Sequence, residues 1–180
     1  MVQNSDDLIG KYAVNTVKAT QLLYSQTLYA HLLVLIYSSI DSMGLLDAPP
    51  SQTSASGESF KNWVKKYLLP NGKFEFNEVD FWAARCSVLH TFTSESDLSK
   101  TGKAKEIQYY SGDKESKMAK AFVAATKEID NGKHVPAHIE DTYLAFLEGL
   151  KLFSKDLAAN CKSNPTYNDR LNRVLQQFAM

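Results

Sequence analysis

Apolar residues recur at helical spacing over most of the chain. From Ile139 to Leu157 they return every three or four positions, which is the pattern of a helix with one buried face. Residues 6–46 contain no proline and predict one long helix or two helices joined at a slight break. Within that stretch, residues 28–43 are apolar nearly all round, as is typical of a helix at the centre of a bundle or in a dimer interface. Gly44 is expected to end this helix.

Polar segments and cap residues divide the rest of the chain. Residues 47–57 predict a surface loop, and residues 60–69 a short amphipathic helix that ends at a Pro-Asn-Gly turn. Pro136 is expected to begin the helix that contains Ile139. Asn164 and Pro165 suit a cap and a first turn, and predict a final helix whose inner face consists of Leu171, Val174, Leu175 and Phe178.

The pattern changes after residue 92. Residues 106–110 and 121–126 are rich in β-branched, aromatic and small apolar residues and predict two strands of a hairpin or small sheet. Residues 93–135 are therefore expected to form an insertion between bundle helices. The expected fold is mainly α: a single domain over residues 1–180, built as an up-and-down bundle of five or six helices with a small β-hairpin insertion.

The helix predicted at residues 77–92 carries the candidate chemistry. Asn77 suits its N-cap, and acidic residues follow in the first turn. Arg85 falls within an apolar arc that also contains Val79, Phe81, Trp82, Cys86, Leu89 and Phe92, while Ala84, Ser87 and Thr91 lie opposite. His90 comes at the edge of this arc, about 140° around the helix from Arg85.

A guanidinium among apolar side chains needs a carboxylate, a carbonyl or a phosphate as its partner. One interpretation is structural, with Arg85 paired to an acid on a neighbouring helix and His90 satisfied in the core. Asp41 is the candidate acid, because it lies on the helix expected to pack against this one. The other interpretation is a phosphate-handling pair, with an arginine fork that binds a phosphodiester and a histidine that transfers protons near neutral pH.

Charge restricts where nucleic acid could bind. Twenty basic and twenty acidic residues cancel, so no overall field attracts RNA and any binding depends on a local patch. The candidate contacts are Lys61 and Lys65 on the short helix, and Lys100 and Lys103 in the basic stretch after residue 92. For the short helix, an ordinary solvated face is the alternative interpretation.

The remaining features favour a cytoplasmic protein that uses no metal. The first residues lack the regions of a signal peptide, and no stretch is expected to reach the apolar length of a membrane span. Cys86 and Cys161 belong to no paired-cysteine metal motif and are expected as reduced thiols in or near the core. His134 and His138 have a metal-binding spacing for a helix, but Pro136 between them argues against a continuous helix.

The run of Arg85, four residues and His90 resembles the motif of the HEPN family (higher eukaryotes and prokaryotes nucleotide-binding), which is Arg, four to six residues, His, late in a helix. The resemblance also covers the preceding long helix with its segment SSIDSMG, so it extends over roughly residues 20–95. Family members are all-helical bundles, often dimeric, and many are metal-independent endoribonucleases. Cys86 departs from the pattern, since active members commonly carry Asn, Asp or His directly after the arginine.

The resemblance implies an endoribonuclease of HEPN toxin or effector type that needs no cofactor. RNA supplies its own nucleophile, the 2′-hydroxyl, and its attack leaves a 2′,3′-cyclic phosphate. His90 would be the acid or base and Arg85 would bind the scissile phosphate, with Asp41 and Cys86 in support. The implied partners are RNA or a nucleotide, a second copy of the chain and a protein such as an antitoxin. The alternative is a non-catalytic HEPN-like module for dimerisation, nucleotide binding or complex formation.

Overall fold

The computed structural model describes residues 4–91, 93 and 95–175, without the side chains of residues 90 and 91. This part of the chain contains eight α-helices and two β-strands, so the prediction of a mainly α fold is confirmed. A π-helical turn, Val64–Leu68, directly follows α3. The elements in chain order are α1 (Ser5–Ser25), α2 (Tyr29–Asp47), α3 (Gly57–Trp63), α4 (Glu78–Thr91), α5 (Asp97–Lys100), β1 (Glu106–Tyr110), α6 (Lys117–Glu128), β2 (His134–His138), α7 (Ile139–Ser163) and α8 (Pro165–Leu175).

Of the two alternatives for residues 6–46, one long helix or two joined at a break, the structure has two helices. Helix α1 ends at Ser25 and α2 begins at Tyr29, and between them Thr27 takes a left-handed backbone conformation with φ of 54°. The prediction that Gly44 ends α2 is wrong, because the helix continues to Asp47. Gly44 instead marks the place where α3 packs most closely on α2. A Cβ atom at this position would lie 2.7 Å from the Ser59 carbonyl oxygen.

Helix α2 is the centre of the core. It packs against α1, α3, α4, α7 and α8, and six of its side chains are fully buried: Leu32, Ile36, Tyr37, Ile40, Met43 and Leu46. Contrary to the expectation from sequence, its length and composition are sufficient to cross a membrane. Half of that apolar stretch is buried inside the protein, which is the environment of a core helix.

The predicted β-hairpin is wrong, because β1 and β2 pair in parallel, with Ile107 opposite Val135. Parallel strands need a crossover connection, and α6 occupies it. Residues 121–126, predicted as a strand, lie in α6, whose N-cap Ser116 accepts a hydrogen bond from the Ala119 amide. The alanine-rich composition and this cap favour the helix over the β propensity of the run.

Pro136 does not begin a helix. It lies in the middle of β2, and α7 begins only at Ile139. A two-stranded sheet has only edge strands, and an edge position tolerates a residue without an amide hydrogen. The predicted cap and first turn of the last helix are confirmed, since α8 begins at Pro165 and the Asn164 side chain accepts from the Thr166 amide.

Helix α4 starts as predicted, with the Asn77 side chain accepting hydrogen bonds from the Val79 and Asp80 amides at 2.8 and 3.1 Å. A reciprocal bond is also present, since the Asp80 carboxylate accepts a hydrogen bond from the Asn77 backbone amide at 3.0 Å. Its other oxygen accepts from the Lys105 amide at 2.7 Å. The buried Asp80 therefore joins the start of α4 to the residue before β1.

The prediction that only the apolar arc of α4 is buried is wrong. Ala84 and Ser87, expected opposite the apolar arc, are buried, and α4 contacts β1 as well as α2 and α3. Small side chains allow close packing, and the Ser87 hydroxyl donates to the Ala83 or Ala84 carbonyl at 3.2 or 3.0 Å, so its burial leaves no unpaired donor. The side of α4 that carries Arg85 is partly open to solvent.

Candidate functional site

Arg85 and Asp41 form an ion pair between α4 and α2. Both N–H groups on one edge of the guanidinium donate to the same carboxylate oxygen of Asp41, from Nε at 2.9 Å and from Nη2 at 2.6 Å. Each side chain is about one-fifth exposed. The structure therefore brings together the two residues that the sequence placed as partners.

The other edge of the Arg85 guanidinium remains available. This end-on edge consists of Nη1 and the second hydrogen of Nη2, and no oxygen acceptor among the described residues bonds to it, although the guanidinium also interacts with the thiol of Cys86. Two parallel N–H groups match two oxygens of a phosphate or carboxylate. Asp41 thus occupies one edge of the guanidinium, and the second edge carries two N–H groups of the kind that bind an anion in a bidentate manner.

Trp82 is a neighbour of Arg85 that the sequence identified only as part of the apolar arc. The guanidinium carbon lies 5.0 Å from the centroid of the Trp82 ring, within the range of a cation–π contact. The i, i+3 spacing on one helix was the available signal, since such residues are neighbours on the surface. The guanidinium is therefore restrained by an ion pair and by an aromatic ring.

Cys86 lies directly beside this pair. It is a free, half-buried thiol, and burial raises its pKa, an effect that the adjacent Arg85 guanidinium partly offsets. The thiol is therefore protonated at neutral pH. Burial also raises the pKa of Cys161, the second free thiol, which lies in the core at α7.

His90 belongs to the last turns of α4, but its side chain lies outside the described residues. The structure consequently gives no distance between its imidazole and Arg85. The proposed pairing of these two residues therefore stays a prediction.

The candidate RNA-contact lysines lie in two separate segments of the chain, two in or directly after α3 and two in or directly after α5. Lys61 is in α3 and pairs with Glu58 at 3.0 Å, and Lys100 is in α5 and pairs with Glu95 at 3.3 Å. Lys65 and Lys103 are exposed and form no ion pair with another described residue. Two of the four charges are thus partly neutralised by a neighbouring acid, which weakens the case for a continuous basic patch.

The described ranges contain no group of three His, Cys, Asp or Glu side chains arranged to hold a metal ion. His134 and His138 lie at the two ends of β2 and have different partners. Nδ1 of His134 is 3.0 Å from the side-chain nitrogen Nε2 of Gln108, and Nε2 of His138 is 2.8 Å from the Gly112 carbonyl oxygen. A spacing of four residues brings two imidazoles together on a helix, but these residues lie on a strand, so the spacing does not indicate a shared metal ion.

One cavity lies away from Arg85. It measures about 500 Å³ and lies between α1, α2 and α8, with apolar walls and a row of hydroxyl groups from Tyr12, Thr16, Ser38, Ser39 and Ser42. Tyr12 is largely enclosed there, and burial raises its pKa to about 12. None of the residues around Arg85 lines this cavity.

The chain was compared with known proteins at the levels of family, sequence and fold. No protein-family model, curated protein or solved structure matches it. Its function is therefore argued from the geometry of Arg85 and the residues around it.

Proposed function

We propose that the protein is a metal-independent endoribonuclease of HEPN type, acting in the cytoplasm as a homodimer. The observation that carries this proposal is the available edge of the Arg85 guanidinium. Asp41 holds one edge, the side chain is partly exposed, and the other edge offers two N–H groups to an anion. An arginine whose plane is already fixed by one carboxylate and whose second edge is open to solvent is well placed to bind a phosphate with two parallel N–H groups.

The proposed reaction uses the RNA's own 2′-hydroxyl. The 2′-oxygen attacks the adjacent phosphorus while a neutral imidazole of His90 accepts its proton. The bond from phosphorus to the 5′-oxygen breaks, and that oxygen takes a proton from an acid, which leaves a 2′,3′-cyclic phosphate and a 5′-hydroxyl. Arg85 stabilises the negative charge that grows on the phosphate oxygens.

This reaction favours a dimer, because it needs both a base and an acid. One neutral histidine serves as the base, and a second copy of His90, protonated, would serve as the acid. A two-fold axis that brings two copies of α4 together would supply this second histidine. Arg85 of one copy and His90 of the other could then reach the same phosphate, although the two residues are about 140° apart around one helix.

The test is a comparison of Arg85→Ala and His90→Ala with the unchanged protein on a labelled RNA in the presence of a metal chelator. We expect each substitution to lower the cleavage rate by at least about a hundredfold. The free energy of unfolding should change by less than about 1 kcal/mol, because the Arg85–Asp41 pair is partly exposed. Urea denaturation measures the free energy of unfolding. The fraction of dimer in solution is the second control and should be unchanged.

Arg173→Ala is the matched control, since Arg173 donates one exposed hydrogen bond to the Thr53 carbonyl and lies outside the site. It should leave cleavage unchanged. A loss of several kcal/mol in both site variants would instead identify Arg85 and His90 as structural, and a requirement for magnesium or a 3′-hydroxyl product would identify another mechanism.

A second candidate function is a HEPN-like module that binds nucleotides or a protein partner without cutting RNA. Cys86 favours it, because a protonated thiol stands where active members of the family commonly have Asn, Asp or His. The balanced charge of the chain favours it too. Cys86→Asn separates the two candidates: a gain of cleavage supports a weakened nuclease, and binding without cleavage in both proteins supports the module.

A further inference from the structure

We propose that Trp82 and Gly57 form a clamp that positions the Arg85 guanidinium for one phosphate of the RNA. The choice of phosphate as the ligand rests on the proposed function, whereas the clamp rests on contacts between described residues. Trp82 is a positioning residue in this proposal, since it acts through Arg85.

The first contact is between Trp82 and Arg85. The guanidinium carbon is 5.0 Å from the indole centroid, and both residues lie on α4, one turn apart. Arginine stacks on aromatic faces because its planar, delocalised cation is weakly hydrated. This contact therefore restrains the position of the guanidinium relative to the indole.

The second contact holds the indole itself. Gly57, the first residue of α3, lies so close to it that a Cβ atom at this position would be 2.9 Å from Cε2 and 3.0 Å from Cζ2 of Trp82. The Phe60 ring adds a further contact, with its centroid 5.2 Å from that of Trp82. Any side chain larger than that of glycine at residue 57 would displace the indole.

The two restraints on Arg85 act in different directions. The bonds from Nε and Nη2 to Asp41 lie in the guanidinium plane and limit rotation within it. The indole limits movement of the guanidinium on the side where the two groups are in contact. Together they keep the end-on edge in one orientation before any ligand binds, and such preorganisation reduces the entropy that binding costs.

The test measures rotation of the arginine side chains directly by nuclear magnetic resonance on protein labelled with ¹⁵N-arginine. The chain has only three arginines, so the spectrum is simple. We expect slow rotation about the Nε–Cζ bond of Arg85 in the unchanged protein, seen as separate Nη signals. Trp82→Leu and Gly57→Ala should both speed this rotation, and Trp82→Phe, which keeps a ring, should restore part of the restraint.

Two controls separate the clamp from general unfolding. Gly10→Ala makes the same change as Gly57→Ala within α1, at a position with no atom within 4 Å of the new Cβ, and should leave Arg85 unaffected. Arg170, which is buried and bonded to four carbonyl groups, should keep slow rotation in every folded variant.

A second readout is the affinity for a short RNA with a 2′-O-methyl group at each position, which cannot be cut. Fluorescence anisotropy should show affinity reduced roughly three- to fivefold in Trp82→Leu and in Gly57→Ala. Unchanged Arg85 rotation in these variants, with Arg170 still restrained, overturns the clamp. Rotation that changes as expected in a protein that cuts no RNA supports the clamp and contradicts the nuclease.

Discussion

Replacement of Arg170 by alanine is expected to lower the free energy of unfolding by about 3–5 kcal/mol. Arg170 is 4% exposed and has no carboxylate partner among the described residues. Its guanidinium instead donates to the carbonyl oxygens of Leu45, Ala48, Pro49 and Gln52, at 2.5 to 2.9 Å. The arginine therefore holds the end of α2 and the loop after it against α8.

The cost has two parts. The substitution leaves carbonyl groups without a donor, and it removes a long side chain that fills the space between the loop and α8. Urea denaturation measures the change, and Arg173→Ala is the matched control on the same helix. Arg173 is exposed and makes one bond, to the Thr53 carbonyl, so its loss should cost less than about 1 kcal/mol. Equal losses in the two variants would contradict the role assigned to Arg170.

Gly44→Ala is expected to destabilise the protein by about 3 kcal/mol, although alanine is the better helix former. The added methyl group would lie 2.7 Å from the Ser59 carbonyl oxygen and 3.1 Å from the Phe60 amide nitrogen. Both atoms belong to the backbone, so no side chain can rotate away to relieve the overlap. Helix α3 would have to move off α2, and Phe60 and Trp63 would lose packing in the core.

The same substitution at Gly10 should have the opposite sign. Gly10 is exposed in the middle of α1, and nothing lies within 4 Å of a Cβ atom there. Gly10→Ala should therefore raise stability by about 0.5–1 kcal/mol, through the helix propensity of alanine alone. Thermal denaturation of both variants measures the difference, and a loss of stability at both positions would show that packing at Gly44 is not the cause.

Local chemistry predicted a helix start where a side chain caps the first turn, but the boundaries predicted from Gly44 and Pro136 were wrong. Asn77 caps α4 and Asn164 precedes Pro165 at α8, and both motifs act through bonds to the next few amides. The parallel sheet could not be predicted in this way. Its two strands pair across α6, and pairing between distant segments leaves no short-range pattern in either of them.

One contact of the candidate site, the ion pair of Arg85 and Asp41, was predictable from the sequence. Arg85 lies among apolar residues in the sequence pattern, so an acid on a neighbouring helix was its expected partner, and Asp41 contacts it. The contact of Trp82 with Arg85 was not predicted, because the close approach of Gly57 in α3 to the Trp82 indole is a tertiary contact that the helical pattern of α4 does not reveal. The burial of Ala84 and Ser87 likewise depends on β1, which the helical pattern of α4 does not reveal.

The bonds of Arg170 also have a consequence for the order of folding. Its contact with Leu45 joins residues that are 125 positions apart, so a long loop must close before it forms, and we expect it to form late in folding. Interactions that form late contribute little to the folding transition state and much to the barrier against unfolding. Arg170 thus acts mainly on the lifetime of the folded state, by slowing the release of α8 from the loop after α2.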